Sequence, residues 1–299
     1  MPAAWSRKRS RGAERGLTIV RRKATFRPAR DTMHTSGFMS PLPMYRLFRI
    51  CPILIAAMLT QVAFAYAGES AAELIQKGDV FYAKLQPTEA LCCYLPAEKL
   101  DPNNARLLVK IARQYRHQAS DAPEKAEKVR LGTIAVNYAN RAVALAPNDP
   151  EAQLAVAISY GRILPYQATK TQLANSQVIK KATDRVIALD PQNDLAWQVL
   201  GRWYFNVADV STFKRAVGDM IYGNLPKASF DDAKRCFERA IALNPNRLMH
   251  YIELGRTYAK KDQPELARKF IERGLAMPNT EKDDPETKNL GRQILKKLP

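Results

Sequence analysis

Apolar residues recur at steps of three and four through most of the chain beyond position 68. A period of about 3.6 residues marks amphipathic helices. The clearest stretch is residues 197–204, WQVLGRWY, which sets Trp197, Leu200, Gly201 and Tyr204 on one helical face. Gly201 carries no side chain, so a neighbouring helix can approach its backbone closely. The large residues beside it fill the space around that contact. No alternating strand pattern competes with this reading, and the chain is expected to be all-α.

The spacing W-x2-L-G-x2-Y is the first-helix signature of the tetratricopeptide repeat. Weaker copies of it run along the chain. Each ends in an Ala-rich second helix and a turn on Pro102, Pro147, Pro191, Pro245 or Pro278. The text around these prolines reads KLDPNN, ALAPND, ALDPQN, ALNPNR and LAMPNT. Proline cannot continue a helix, and the Asn or Asp after it can cap the next one. Gly78, Ala112, Ala157, Gly201 and Gly255 take the small signature position, and Ala90, Ala139, Thr183, Phe237 and Ile271 lie on the partner helices. The pattern predicts a right-handed solenoid of about five helix pairs. A last amphipathic helix near residues 284–298 would cover its open end.

The prolines are 45, 44, 54 and 33 residues apart, and only the last spacing is near the usual 34. The longer repeats carry insertions at residues 120–130, 164–171 and 209–228. The first reads as a helix extension. The last, DVSTFKRAVGDMIYGNLPKA, either borders a binding face or packs Phe213, Val217, Met220, Ile221 and Tyr222 on its neighbours.

Charge changes the picture only at the N-terminus. The net charge is +18, of which residues 1–43 carry +8, residues 44–67 +2 and the remaining 232 residues +8. The basic footprint belongs mostly to the leader, so nucleic acid is not an expected partner. Residues 1–43 read as a disordered basic leader. They fit untranslated sequence before a start at Met44, a transit peptide, a basic tail ahead of a membrane anchor or, with least support, a nucleic-acid-binding tail. The first is preferred, because residues 44–67 read as a complete export signal. Arg46 and Arg49 precede the apolar run 50–59, and Ala65-Tyr66-Ala67 offers an A-x-A cleavage site before Gly68. The alternative is an uncleaved membrane anchor over residues 50–67, which Pro52 and Gln61 weaken. The repeat domain is then residues 68–299. Export to the periplasm or cell envelope is the expected location, with a membrane-anchored or cytoplasmic protein as the alternative.

Candidate chemistry is sparse. There is no Gly-rich phosphate loop, HExxH or G-x-S-x-G, and His34, His117 and His250 are scattered. Cys92, Cys93 and Cys236 form neither a disulfide framework nor a metal site, and read as buried or half-buried thiols. Asp231/Asp232 and Asp283/Asp284 sit at helix starts, where carboxylates favour the helix dipole. No enzyme, cofactor or metal is expected.

The runs LGRWYFNVA (200–208), YGNLPKASFDDA (222–233), the turn ALNPN, and AISYGRILPYQATKTQLANSQVIKKATDRVIALDP before them resemble the regulator of microtubule dynamics family. The resemblance covers about residues 73–298 and includes the long insertion. It implies a non-enzymatic helical-repeat domain. Animal members are linked to microtubules, mitochondria and membrane contact sites, and one branch has a membrane anchor and a lipid-binding repeat domain. The export signal departs from those members, and an exported protein would not meet a microtubule. That partner is expected only if the N-terminus stays cytosolic.

In this fold the first helices line a concave groove, and the residue after the signature Gly or Ala points toward it. Here these are Arg113, Arg202 and Arg256; in the third repeat the position is Ile158, with Arg162 one turn on. Arg116 shares the side of Arg113. Arginine forks take carboxylates and phosphates in a bidentate way. An acidic peptide or protein is the expected ligand, and an anionic lipid headgroup the alternative. Trp203, Phe205 and Tyr222 would add apolar surface. The competing expectation is that these arginines pair with carboxylates of adjacent helices.

Overall fold

The computed structural model describes residues 68–210 and 227–299, and among them are eleven α-helices and no strand. They form five pairs: α1 (Ala71–Ala83) with α2 (Pro87–Leu100), α3 (Ala105–Asp121) with α4 (Lys125–Leu145), α5 (Pro150–Ile163) with α6 (Thr169–Leu189), α7 (Asp194–Ala208) with α8 (Phe230–Leu243), and α9 (Leu248–Lys260) with α10 (Pro264–Ala276). The final helix, α11 (Asp284–Leu295), packs on α9 and α10 as the expected cap. Successive pairs stack first helix on first helix, α3 on α5, α5 on α7 and α7 on α9. This is the tetratricopeptide-type solenoid that the proline phase predicts.

The turns work as the sequence suggests at three junctions. Asn104 accepts from the Leu107 amide at 3.0 Å, Asn193 from Ala196 at 3.1 Å and Asp149 from Glu151 at 2.9 Å. Each satisfies an amide that the first helical turn leaves without a partner. The side chain six residues after the proline then ties the helix back to the turn. Trp197 Nε1 donates to the Pro191 carbonyl at 3.0 Å, Tyr251 Oη to that of Pro245 at 2.9 Å, and Gln153 Nε2 to that of Pro147 at 2.9 Å. The residue in the first signature place, aromatic in Trp197 and Tyr251 and an amide in Gln153, therefore ties the start of its helix to the turn.

The first insertion is a helix extension, as expected: α3 runs to Asp121 and α4 starts at Lys125, with the break at Ala122–Glu124 around Pro123. The second forms a 3-10 turn at Leu164–Tyr166 before α6. The third lies mostly outside the described residues, as do the leader and the export signal. Among the described residues no helix is long and apolar enough to cross a membrane. One expectation needs correcting. Cys92 is exposed, because it sits on the outer side of α2, whereas Cys236 is buried and its thiol is pushed up to about 12 by that burial.

Glycine decides how closely the pairs pack. A Cβ on Gly201 would stand 2.7 Å from the Phe237 ring, and one on Gly255 would stand 2.6 Å from Ile271 and 2.9 Å from the Ala267 carbonyl oxygen. Phe237 is fully buried with Phe205, Leu254 and Tyr258, so its ring has little room to move. Gly201→Ala is expected to destabilise the domain by about 1–3 kcal/mol through overpacking. Gly161→Ala is the control: a Cβ there meets nothing within 4 Å. It should be neutral or stabilising by up to about 1 kcal/mol. Thermal melts of the two variants check this directly.

Candidate binding cavity

The first helices converge on one cavity of about 1460 Å3. Helices α3, α5 and α7 and the start of α9 line it, α6 supplies a wall, and Tyr82 of α1 reaches its edge. One side is apolar, with Leu154, Ile158, Leu173, Val199, Trp203 and Met249. Trp203 is held there by its indole N–H, which donates to the Ser176 hydroxyl at 2.9 Å and carbonyl at 3.0 Å. The other side is cationic, with Arg113, Arg116, Arg162 and Arg202. Four of the six residues expected in the groove are therefore brought together.

Each arginine has a distinct setting. Arg113 donates to Tyr82 Oη at 2.8 Å and to Glu151 at 3.4 Å, with its guanidinium 5.3 Å above the Tyr82 ring. Arg116 is 7% exposed and donates to the Ser159 hydroxyl at 3.3 Å. Among the described residues no carboxylate lies within ion-pair distance of it. Burial, followed by the like charges of Arg113 and Arg162, lowers its guanidinium pKa to about 9, so it remains charged at neutral pH. Arg162 donates to Asp283 at 2.6 Å and to Glu286 at 3.4 Å. Arg202 is half-exposed, with its Nε 3.4 Å from Glu253.

Phe205 and Arg256 do not line the cavity. Phe205 sits on the side of α7 packed against α8 and α9, where it is fully buried. Arg256 lies 3.9 Å above the Phe205 ring and donates to Glu253 at 3.2 Å, so ring and carboxylate draw it away from the groove. Tyr222 lies outside the described residues. The competing expectation of pairing with carboxylates of adjacent helices holds for Arg113 with Glu151 and Arg202 with Glu253. Arg162 pairs instead with the distant Asp283 and Glu286, Arg256 with Glu253 of its own helix, and Arg116 with no carboxylate among the described residues.

The carboxylates that meet these arginines carry no mark in the sequence. Asp232 sits at the start of α8, as read from sequence, and closes a capping box there with Ser229. Asp284 accepts from the Thr280 and Glu281 amides, both at 2.7 Å, and so shapes the turn before α11. Asp283, at the helix start, is not used as a cap. It reaches across to Arg162, accepts from Ser120 at 3.1 Å and stands 3.6 Å from His117. Burial raises its carboxyl pKa, but His117, Arg162 and Ser120 together hold it well below the usual carboxylate range. An acidic pair at a helix start has a ready local explanation, and that explanation hides a contact more than a hundred residues away.

At the wall of the cavity, which Asp194 and Arg247 help to line, Asp194 Oδ2 accepts from His250 Nε2 at 2.9 Å, Arg247 Nε at 2.8 Å and Asn244 at 3.2 Å. A carboxylate only accepts, so the imidazole proton is on Nε2, and the buried Nδ1 has no partner. Protonating that nitrogen would bury an unsatisfied N–H. Burial accordingly lowers the His250 pKa more than Asp194 raises it. Burial also raises the Asp194 pKa, but His250 and Arg247 bring it below its ordinary value.

All three shifts make acid destabilising. Below about pH 6.5 the unfolded chain protonates His250 before the folded one does. Below about pH 4 the same holds for Asp194 and Asp283, whose stabilising charge is fully present only above that range. The melting temperature should therefore fall in two stages between pH 7 and pH 3. A flat profile to pH 4 would contradict the His250 assignment.

The fold and the cavity define a tetratricopeptide-type helical-repeat scaffold. The sequence profile of the family "Regulator of microtubule dynamics protein 1-3" matches residues 74–299, and the chain belongs to this family. It is 26% identical to regulator of microtubule dynamics protein 1 of Mus musculus over 241 residues, which covers 80% of this chain and 78% of that protein. It is 24% identical to the Bos taurus protein of the same name over 301 residues, covering 98% of this chain and 93% of that one. Among solved structures it resembles a thermophilic tetratricopeptide protein of Thermus thermophilus. The TM-score is 0.56 and the identity 14%, over 76% of this chain and 99% of that one. That likeness bears on the fold alone.

Proposed function

We propose that the repeat domain is a non-enzymatic interaction scaffold that takes an acidic peptide or protein segment in its concave cavity. One observation carries this reading: the acidic stretch of residues 281–286 in this same chain already places carboxylates on Arg162, with Asp283 at 2.6 Å. The cluster thus accepts carboxylates in a bonded geometry, and Arg116 beside it keeps a buried charge with no carboxylate of its own among the described residues. Such a site favours anions, because a desolvated guanidinium gains more from an incoming carboxylate than a solvated one does.

A second reading is favoured by the apolar side of the cavity. An amphiphile with an anionic head would place its tail against Leu154, Ile158, Leu173 and Trp203 and its head on the arginines. Native mass spectrometry of the purified protein would expose a co-purified lipid. The relatives' name brings microtubules forward as a partner only for a cytosolic N-terminus. We read residues 44–67 instead as an export signal, which a mature end at Gly68 would test.

The leading reading is tested by fluorescence anisotropy with a fluorescein-labelled decaglutamate peptide. Arg202 lines the cavity and is half-exposed; its buried partner Glu253 keeps Arg256 at 3.2 Å, and a thermal melt of the variant checks that the fold survives. Arg202→Glu should weaken binding at least about tenfold, as expected when a charge-assisted contact becomes a repulsion. Unchanged affinity would contradict the reading.

A further inference from the structure

Residues 281–286 connect two distant parts of the array. Their anchors lie in the last repeat. Glu281 accepts from Arg247 at 2.8 Å, and Asp284 is buried and holds the turn. Their outward side chains meet the second and third repeats. Asp283 bonds to Arg162 of α5 and Ser120 of α3, Glu286 stands 3.4 Å from Arg162, and Lys282 donates to Asp121 at 2.9 Å.

The two sets of contacts differ in kind. Helix α11 and the residues before it are joined to the last repeat by apolar packing, with Met277, Ile294 and Leu295 against Leu248, Ile252 and Ile271. Among the described residues no apolar cluster joins this segment to α3 or α5. That junction consists of hydrogen bonds and ion pairs, and its outer members, Glu286 and Asp121, are more than half exposed. Exposed ion pairs are individually weak and are screened by salt. The one contact of weight that holds the junction is therefore the inner Arg162–Asp283 pair, about three-quarters buried, with no apolar seam behind it among the described residues. The junction can therefore open while the last repeat stays folded.

We propose that residues 281–286 are a releasable internal occupant of the arginine cluster, which an acidic ligand displaces when it enters the cavity. The inference rests on the acidic-ligand reading above and assigns the regulation of that site. Asp283 and Glu286 use the Arg162 donors that an incoming carboxylate would need. Opening the junction frees Arg162 and adds it to Arg113 and Arg116. The apparent affinity of the site is then lower than its intrinsic affinity by the fraction of molecules in which the segment is released.

The test compares decaglutamate binding by the full chain and by two variants. Asp283→Asn with Glu286→Gln removes both carboxylates from Arg162 and should tighten binding by about tenfold or more. Glu286→Gln alone touches only the exposed contact, leaves the fold undisturbed, and should tighten binding about two- to threefold. Hydrogen exchange should show faster exchange at residues 279–287 in the double variant, with α9 and α10 unchanged. Equal or weaker binding by both variants, where the unaltered protein binds, overturns the internal-occupant inference and leaves the acidic-ligand reading standing. Absence of binding in all three proteins overturns both. If the double variant fails to fold, the single variant decides the matter by the same criteria.

Discussion

A pair of helices cannot bury its apolar stripe alone, and the rest of this structure depends on that constraint. The stripe of α7 is covered only because Gly201 lets Phe237 of α8 come within reach of its backbone. The pair's remaining apolar face is covered only by the next pair, through Leu254 and Tyr258. Repetition follows from this need, since each pair leaves a face for the next, and the last is finished by α11. The small residue at the signature position sets how closely the helices approach. The proline turns and their Asn and Asp caps set where each helix begins.

Stacking first helix on first helix has a second consequence. The side chains that follow the small position project to a common interior, and here several are arginines. A cavity with an apolar wall and converging guanidinium groups results from this repetition, without any dedicated loop. The cost of gathering like charges appears at Arg116, whose neighbours Arg113 and Arg162 push its pKa down together with burial. The acidic residues 281–286 offset part of that charge from the far end of the array.

The fold is legible in the sequence because its determinants are local. The W-x2-L-G-x2-Y spacing, the five prolines in phase and the alanine faces each specify a nearby contact, and all five pairs form where they predict. The site is legible only in part. Arg113, Arg116, Arg162 and Arg202 reach the cavity because helical periodicity fixes their direction. Phe205 does not, because it lies on the side of α7 that α8 and α9 cover, and Arg256, although it follows the small residue as Arg202 does, is drawn onto the Phe205 ring and Glu253. Sequence spacing does not say how wide the groove is. Asp283 reads as a helix-start carboxylate because nothing local marks a contact with Arg162, 121 residues away. Buried Glu253, placed between Arg202 and Arg256, carries no signal either.

The central claim is that a carboxylate from the end of the array occupies the arginine cluster built by its middle. A double-mutant cycle on stability, with Arg162→Gln, Asp283→Asn and the combination, tests it most directly. The pair is about three-quarters buried and bonded at 2.6 Å. A coupling of about 1–3 kcal/mol is predicted for such a contact. Additive single effects, with no coupling between the two residues, would contradict the account.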